Sequence, residues 1–291
     1  WSAFGISLVP FLFSLCLLSR FDRSATTLQF VAKTLWIPAL NISYFLAVDG
    51  LSLTMVLLTA FLMPLAILSS FSIEHRVKTY MFLFLLLETG TLGVFMALNF
   101  FHFFIFWEVG LIPMFFLIKI WGSENRHYAA FKFFVYTLFG SIAMLLAFQF
   151  LFLATKTFDF TELSELSRSG LLQVDLMFLS KRLGLGFSPE AVTAIVFLAI
   201  SLGFAIKVPI WPFHTWLPDA HTQAPTAGSM VLAGLLLKMG VYGFLRISLP
   251  LFPETVKTFA PLLAILALAS ILFGAFSAMA QTDIKRMIAY S

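Results

Sequence analysis

The sequence predicts an all-α polytopic membrane protein, a bundle of spanning helices with one helix broken. Three observations lead there. Of 291 residues 60% are hydrophobic and 11% are charged, whereas a soluble domain carries about 25% charged residues. A water-soluble core of this size cannot hide so much apolar surface. Uncharged stretches of the length that crosses a bilayer, about 20 residues, recur along the chain. One of these stretches contains Pro209, Pro212 and Pro218, and proline removes a backbone donor and clashes with the preceding helical turn.

Taken in order, the first stretch is Trp1–Ser19 and the second Gly50–Ile73. The third, Thr79–Leu98, is interrupted only by Glu88, and the fourth, Asn99–Ile118, only by Glu108. Phe133–Thr155 is the fifth. Ala191–Pro218, with Lys207, is the sixth, and Thr222–Leu245, with Lys238, the seventh. Thr258–Thr282 is the eighth, and a ninth begins near Asp283. Strands are excluded for these runs, because a transmembrane strand alternates over about 10 residues. The sixth is expected to be a discontinuous helix with its break near Lys207–Pro212, which is tolerated where it is buried in protein or lines a wet cavity.

Two segments are not spans. Arg20–Asp49 holds Arg20, Asp22, Arg23 and Lys33 and then the amphipathic Trp36–Val48. Lys156–Glu190 is mixed in charge and holds Gly184, Gly186 and Pro189. An even number of crossings separates them, so both are expected on one face. The short connections of the other face carry Arg76, Lys78, Arg126, Lys285 and Arg286, and the excess of basic residues in short inner loops assigns that face to the cytoplasm, stroma or matrix. The start at Trp1 and the end at Tyr290-Ser291 are read as cuts in a longer protein, so the first stretch is not a signal peptide. A single cysteine, Cys16, leaves no disulfide framework, CxxC motif or iron–sulfur site made by this chain alone. The net charge of +4 reflects loop bias rather than a nucleic-acid footprint.

Glu88, Glu108, Lys207 and Lys238 are the charges within spans. A charge at the bilayer centre costs about 2.5–3.5 kcal/mol on insertion scales, and such residues face the bundle interior, where they pair or pass ions. The bland reading is a Glu–Lys pair that pins two helices, and it suits Glu88 best. The functional reading is a switch: a nearby carboxylate holds a proton on a buried lysine, and its withdrawal releases that proton. His214 and His221 flank the proline break seven residues apart. They would share one side of a regular helix, as relays suited to neutral pH or as packing at a helix end. No two of the five histidines sit in one span at the spacing of a haem pair across the bilayer. Gly228, Gly234, Gly240 and Gly243 read as close helix packing.

The stretch Gly203–Arg246, GFAIKVPIWPFHTWLPDAHTQAPTAGSMVLAGLLLKMGVYGFLR, resembles the antiporter-like membrane subunits of respiratory complex I, most nearly the M type (chain 4 of NADH:quinone oxidoreductase and its counterpart in cyanobacterial and chloroplast NDH). FFIFWEVGLIPMFFLIKIWG at Phe103–Gly122 and QTDIKRMIAYS at Gln281–Ser291 agree with it. The resemblance implies a fragment of an inverted-repeat helix bundle that lies in a single transmembrane domain over 1–291. Residues 79–246 would be the complete first five-helix repeat and 258–291 the start of the second. It implies that Glu108 is the essential glutamate, Lys207 the proton-loading lysine and Lys238 the central lysine. His214, His221 and Glu88 remain as possible relays, with Glu88 outside the family's core set and Asn99 standing where an aspartate is frequent.

The function so implied is proton translocation by a non-redox subunit of an NAD(P)H or ferredoxin:quinone oxidoreductase. Electron transfer would occur in partner subunits carrying flavin, iron–sulfur centres and quinone, with no cofactor or metal in this chain. The implied partners are other membrane-arm subunits and the lipid bilayer, with no nucleic acid. The implied membrane is the bacterial plasma membrane, the thylakoid or the mitochondrial inner membrane. An Mrp-type cation/proton antiporter subunit, a membrane-bound hydrogenase subunit and an inert membrane anchor are the alternatives.

Overall fold

The computed structural model describes residues 1–25 and 27–291. Helix α1 (Ser2–Arg20) leads into a hairpin of β1 (Gln29–Ile37) and β2 (Ile42–Val48). Then come α2 (Gly50–Ser69), α3 (Val77–Met96), α4 (Phe100–Trp121) and α5 (Arg126–Thr155). Two short helices, α6 (Phe160–Arg168) and α7 (Leu171–Arg182), precede α8 (Pro189–Lys207). After a break the chain resumes as α9 (Trp216–Gln223), α10 (Thr226–Leu251), α11 (Pro253–Met279) and α12 (Ile284–Tyr290). Among the described residues eight helices are long and apolar enough to cross a membrane: α1 to α5, α8, α10 and α11.

The spans are all helical, as expected, and one short hairpin lies between α1 and α2. Its register pairs Leu35 with Ser43 and Lys33 with Phe45 in antiparallel fashion. The amphipathic Trp36–Val48 forms the end of β1, the turn and β2, since β-branched and aromatic residues favour a pleated, half-buried surface. Asn41 closes the turn at φ 50°, a left-handed conformation that asparagine tolerates. Phe45, Ala47 and Val48 are buried. The backbone N–H of Leu98 donates to the Phe45 carbonyl at 3.0 Å, and Asn99 forms an isolated bridge with Asp159. The hairpin, the α3–α4 turn and the α5–α6 connection therefore lie on one face, here called the hairpin face.

Polar caps fix several helix starts. Asp49 and Ser52 form a reciprocal capping box on α2, and Ser188 with Pro189 opens α8. Asn99 accepts from Phe101 N–H at α4, and Asp283 from Arg286 N–H at α12. These side chains satisfy donors that a helix start leaves free. The core lies between α3, α4, α5, α8 and α10, where Phe84, Phe95, Phe103, Trp107, Phe204 and Trp216 are fully buried. The backbones of α5 and α8 approach closely: a Cβ on Gly203 would lie 3.0 Å from the Gly140 carbonyl oxygen. Such proximity of small residues is how helices pack without a hydrophobic drive between them.

Candidate functional site

The site grows out of the break after α8. Lys207 is the last residue of that helix and is only 2% exposed. The Val208 N–H still reaches the Phe204 carbonyl at 2.8 Å, but the Ile210 N–H turns back to Ala205 O at 2.9 Å. Trp216, at the start of α9, donates from Nε1 to Ile206 O at 2.9 Å and ties the two half-helices together. Prolines 209 and 212 deny the intervening turn its helical donors. The expected break near Lys207–Pro212 is present.

The Lys207 ammonium points at α4. Its Nζ lies 4.9 Å from the centre of the Trp107 ring and has no hydrogen-bond partner among the described residues. Trp107 is itself fixed, donating from Nε1 to Ser141 Oγ on α5 at 3.1 Å. Glu108 follows Trp107 and is half-buried, with Oε1 enclosed and unpartnered. It is the carboxylate whose charge reaches Lys207. The two make no direct ion pair among the described residues, and the six ion pairs present all lie elsewhere. Glu88 on α3 is 3% exposed, and its Oε1 also lacks a partner among the described residues.

Lys238 departs from the expectation that every charge in a span faces the bundle interior. Its side chain is exposed on the outer side of α10, in a stripe with Val241, Leu245 and Leu249. The reason is rotational. Gly240, two residues on and so roughly 200° around the helix, is the residue that packs on α8, where a Cβ would sit 2.6 Å from Val208 Cγ2. Gly234 and Gly243 likewise press on Leu62 and Phe204, whereas Gly228 meets the nearby Pro225 and Ala224. Two π-helical turns, Leu232–Leu236 and Phe244–Ser248, bracket the lysine.

The two histidines do not share a regular helix either. His214 lies in the irregular turn and His221 in the last turn of α9, and the Nδ1 of each is buried without a partner among the described residues. His214 borders a cavity of about 70 Å³ with Trp211, Ser270 and Tyr290. Around α9 stand residues that sequence reading missed. Lys132 Nζ pairs with Asp219 at 2.7 Å, Arg286 approaches the same carboxylate at 3.4 Å, and Lys285 donates to Ala224 O at 2.5 Å. Trp107 was missed as well, being one aromatic in a run of them. At the hairpin face Asn99 donates to the buried Asp159 at 2.5 Å, and Lys33 pairs with that carboxylate at 2.6 Å. Among the described residues no cluster of His, Cys, Asp and Glu has the makings of a metal site.

The family model for the NADH:quinone oxidoreductase/Mrp antiporter transmembrane region matches residues 97–291. The chain belongs to that family. A second model, for the amino terminus of NADH-ubiquinone oxidoreductase chain 4, matches residues 4–98. The two meet at the α3–α4 turn, so the whole candidate site from Glu108 to Lys238 falls within the antiporter-family region. NADH-quinone oxidoreductase subunit M of Rhodobacter capsulatus is 48% identical over 291 residues, covering 100% of this chain and 55% of the relative. NADH-ubiquinone oxidoreductase chain 4 of Marchantia polymorpha is 41% identical over 287 residues, covering 98% and 54%. The chain thus spans about half the length of the curated relatives it matches. Respiratory complex I from Thermus thermophilus with bound NADH contains a chain that superposes with a TM-score of 0.76 at 28% identity, covering 99% of this chain and 61% of that one. The archaeal membrane-bound sulfane sulfur reductase gives 0.84 at 23% identity over 99% and 55%, a likeness of fold.

Proposed function

We propose that this chain is a proton-translocating, non-redox membrane subunit of a complex I-type NAD(P)H or ferredoxin:quinone oxidoreductase. The observation that carries the reading is the state of Lys207. It is buried at a helix break, lies within reach of the Glu108 charge, and has no hydrogen-bond partner among the described residues. Interactions between charges grow strong where water is excluded. The energy of a proton on Lys207 therefore depends on where the Glu108 carboxylate sits. Approach holds the proton, and withdrawal lets it leave.

In this reading the Lys132–Asp219 pair and the buried imidazoles of His214 and His221 around α9 are the candidate relays between the short-loop face and Lys207. Lys238 is exposed on the outer side of α10, and its role as the central lysine rests on the family resemblance. In this reading residues 79–246 form the first inverted five-helix repeat and 258–291 open the second. Flavin, iron–sulfur centres and quinone reside in partner subunits of the membrane and peripheral arms. Relatives named as NADH-quinone oxidoreductase subunits, at 48% identity, favour this assembly over a stand-alone cation/proton antiporter. The test is proton pumping by the assembled complex in inverted vesicles. Glu108→Gln and Lys207→Ala are expected to lower pumping at least tenfold. Fully assembled Lys207→Ala complex that pumps like the wild type would refute the reading.

A further inference from the structure

Among the described residues the Lys207 ammonium lacks a hydrogen-bond partner, yet one side chain is built to receive it. The indole of Trp107 is 1% exposed and presents its face to Nζ at 4.9 Å. Three contacts fix the ring: Ser141 Oγ accepts from Nε1 at 3.1 Å, Phe103 stacks at 5.6 Å, and Phe204 meets it edge-on at 5.7 Å. Ser141 is buried on α5, and Phe204 lies one turn before Lys207 on α8.

We propose that Trp107 is a positioning residue for the Lys207 proton: its indole face, anchored by Ser141, seats the ammonium while Glu108 stands away from it. This rests on the proton-carrying role of Lys207 proposed above. An aromatic face attracts a cation through its quadrupole, and more strongly when both are desolvated. It neither accepts nor donates a proton. A carboxylate in the same place would hold the ammonium far more firmly, and an aliphatic side chain would leave a buried charge uncompensated. The indole lies between these limits, so it keeps Lys207 loaded without locking it. The side chains of the surrounding elements offer no substitute. Glu108 on α4 is the titratable group whose charge reaches Lys207. Alongside it α5 contributes the Ser141 hydroxyl, and α10 approaches the turn with Gly240. On α10 Lys238 points outward, while His214 in the linker keeps an unpartnered Nδ1.

The experiment is the pH profile of proton pumping, driven by electron transfer, in inverted vesicles. It uses the complete complex, with assembly checked by co-purification of its subunits. Trp107→Leu is expected to move the alkaline limb of the profile toward acid by about one pH unit, a tenfold loss of proton occupancy and of the order a desolvated cation–π contact supplies. Trp107→Phe keeps a ring face and is expected to move the limb by less than about half as much. Ser141→Ala frees the indole and is expected to fall between the two. An unmoved limb in assembled Trp107→Leu would overturn the inference. So would a Trp107→Phe shift as large as that of Trp107→Leu, which marks lost bulk rather than a lost ring face. If Trp107→Leu does not assemble, Ser141→Ala decides: a shifted limb supports the inference and an unmoved one overturns it. Unchanged pumping in Lys207→Ala sinks the proposed function itself. Lost pumping there beside an unmoved limb in Trp107→Leu sinks only the role of the indole.

Discussion

Lys33 reaches from β1 to Asp159, and through that carboxylate the hairpin is tied to the starts of α4 and α6. The hydrogen bond to Asp159 holds the Lys33 ammonium above its ordinary value of 10.5, with burial acting the other way. A group whose proton affinity is raised on folding contributes stability below its unfolded value and loses it as pH rises through the folded one. The tie is therefore expected to be unchanged from about pH 6 to about pH 9 and to fail only in the alkaline range above roughly 10.5. Hydrogen exchange of β2, corrected for its intrinsic rate, checks this. Lys33→Met is expected to destabilise the hairpin by about 1–3 kcal/mol at any of these pH values, because it strips a partner from a buried carboxylate. The lysine is 40% exposed, and solvent screening places the effect toward the lower end. None of this was legible in the sequence, since Lys33 and Asp159 are far apart in the chain and each sits among ordinary loop charges. Glu108 and Lys207 were legible, because a lone charge in an apolar run is conspicuous. Their separation was not, because composition does not report side-chain rotamers. Trp107 was hidden by its neighbours, for an aromatic earns a special role only when a cation is seen over its face.

Among the elements, long uncharged runs located all eight spans, and three prolines located the break. The hairpin and the π-helical turns of α10 escaped notice for different reasons. A short apolar segment carries both helical and strand periodicities, and only pairing with a second strand decides between them. The π turns lie in a helix seated by Gly234, Gly240 and Gly243 against α2 and α8, a packing that depends on residues distant in the chain. The close approach of α5 and α8 gives a direct prediction. A methyl on Gly203 would lie 3.0 Å from Gly140 O and 3.1 Å from Met144 Cβ. Gly203→Ala is therefore expected to cost about 1–3 kcal/mol through overpacking, read as a lower midpoint of thermal unfolding in detergent. Gly5, where an added methyl would meet nothing within 4 Å, serves as the control, and Gly5→Ala should leave the midpoint in place.

The molecule as a whole is unevenly clothed. The spans α3 and α8 are about half buried, whereas α11 has no buried residue in its most apolar window and α1 only 11%. Apolar residues on α11 meet lipid or protein equally well, but Lys238 does not. A lysine facing hydrocarbon carries the insertion cost quoted for the bilayer centre, so the outer side of α10 is expected to be covered in the assembled complex. Lys238→Cys should react readily with a maleimide when this chain is prepared alone in detergent, and at least tenfold more slowly in the complete complex. Equal rates would mean that the stripe faces lipid or water in both. The sequence showed Lys238 to be inside a span without showing which way it points, because direction depends on the rotation of α10 and not on depth.

The break after Lys207 has an electrical consequence as well as a geometric one. A helix that ends carries roughly half a negative charge at its last turn, here with the Ala205 and Ile206 carbonyls accepting from Ile210 N–H and Trp216 Nε1. In a continuous helix that charge would sit at the membrane surface, cancelled by water. Here α8 ends at Lys207 itself, so the negative pole is brought inside the protein, beside the ammonium. The backbone thus acts as a fixed counter-charge that no side-chain mutation removes. Only straightening the helix, by replacing Pro209 and Pro212 together, would carry it away.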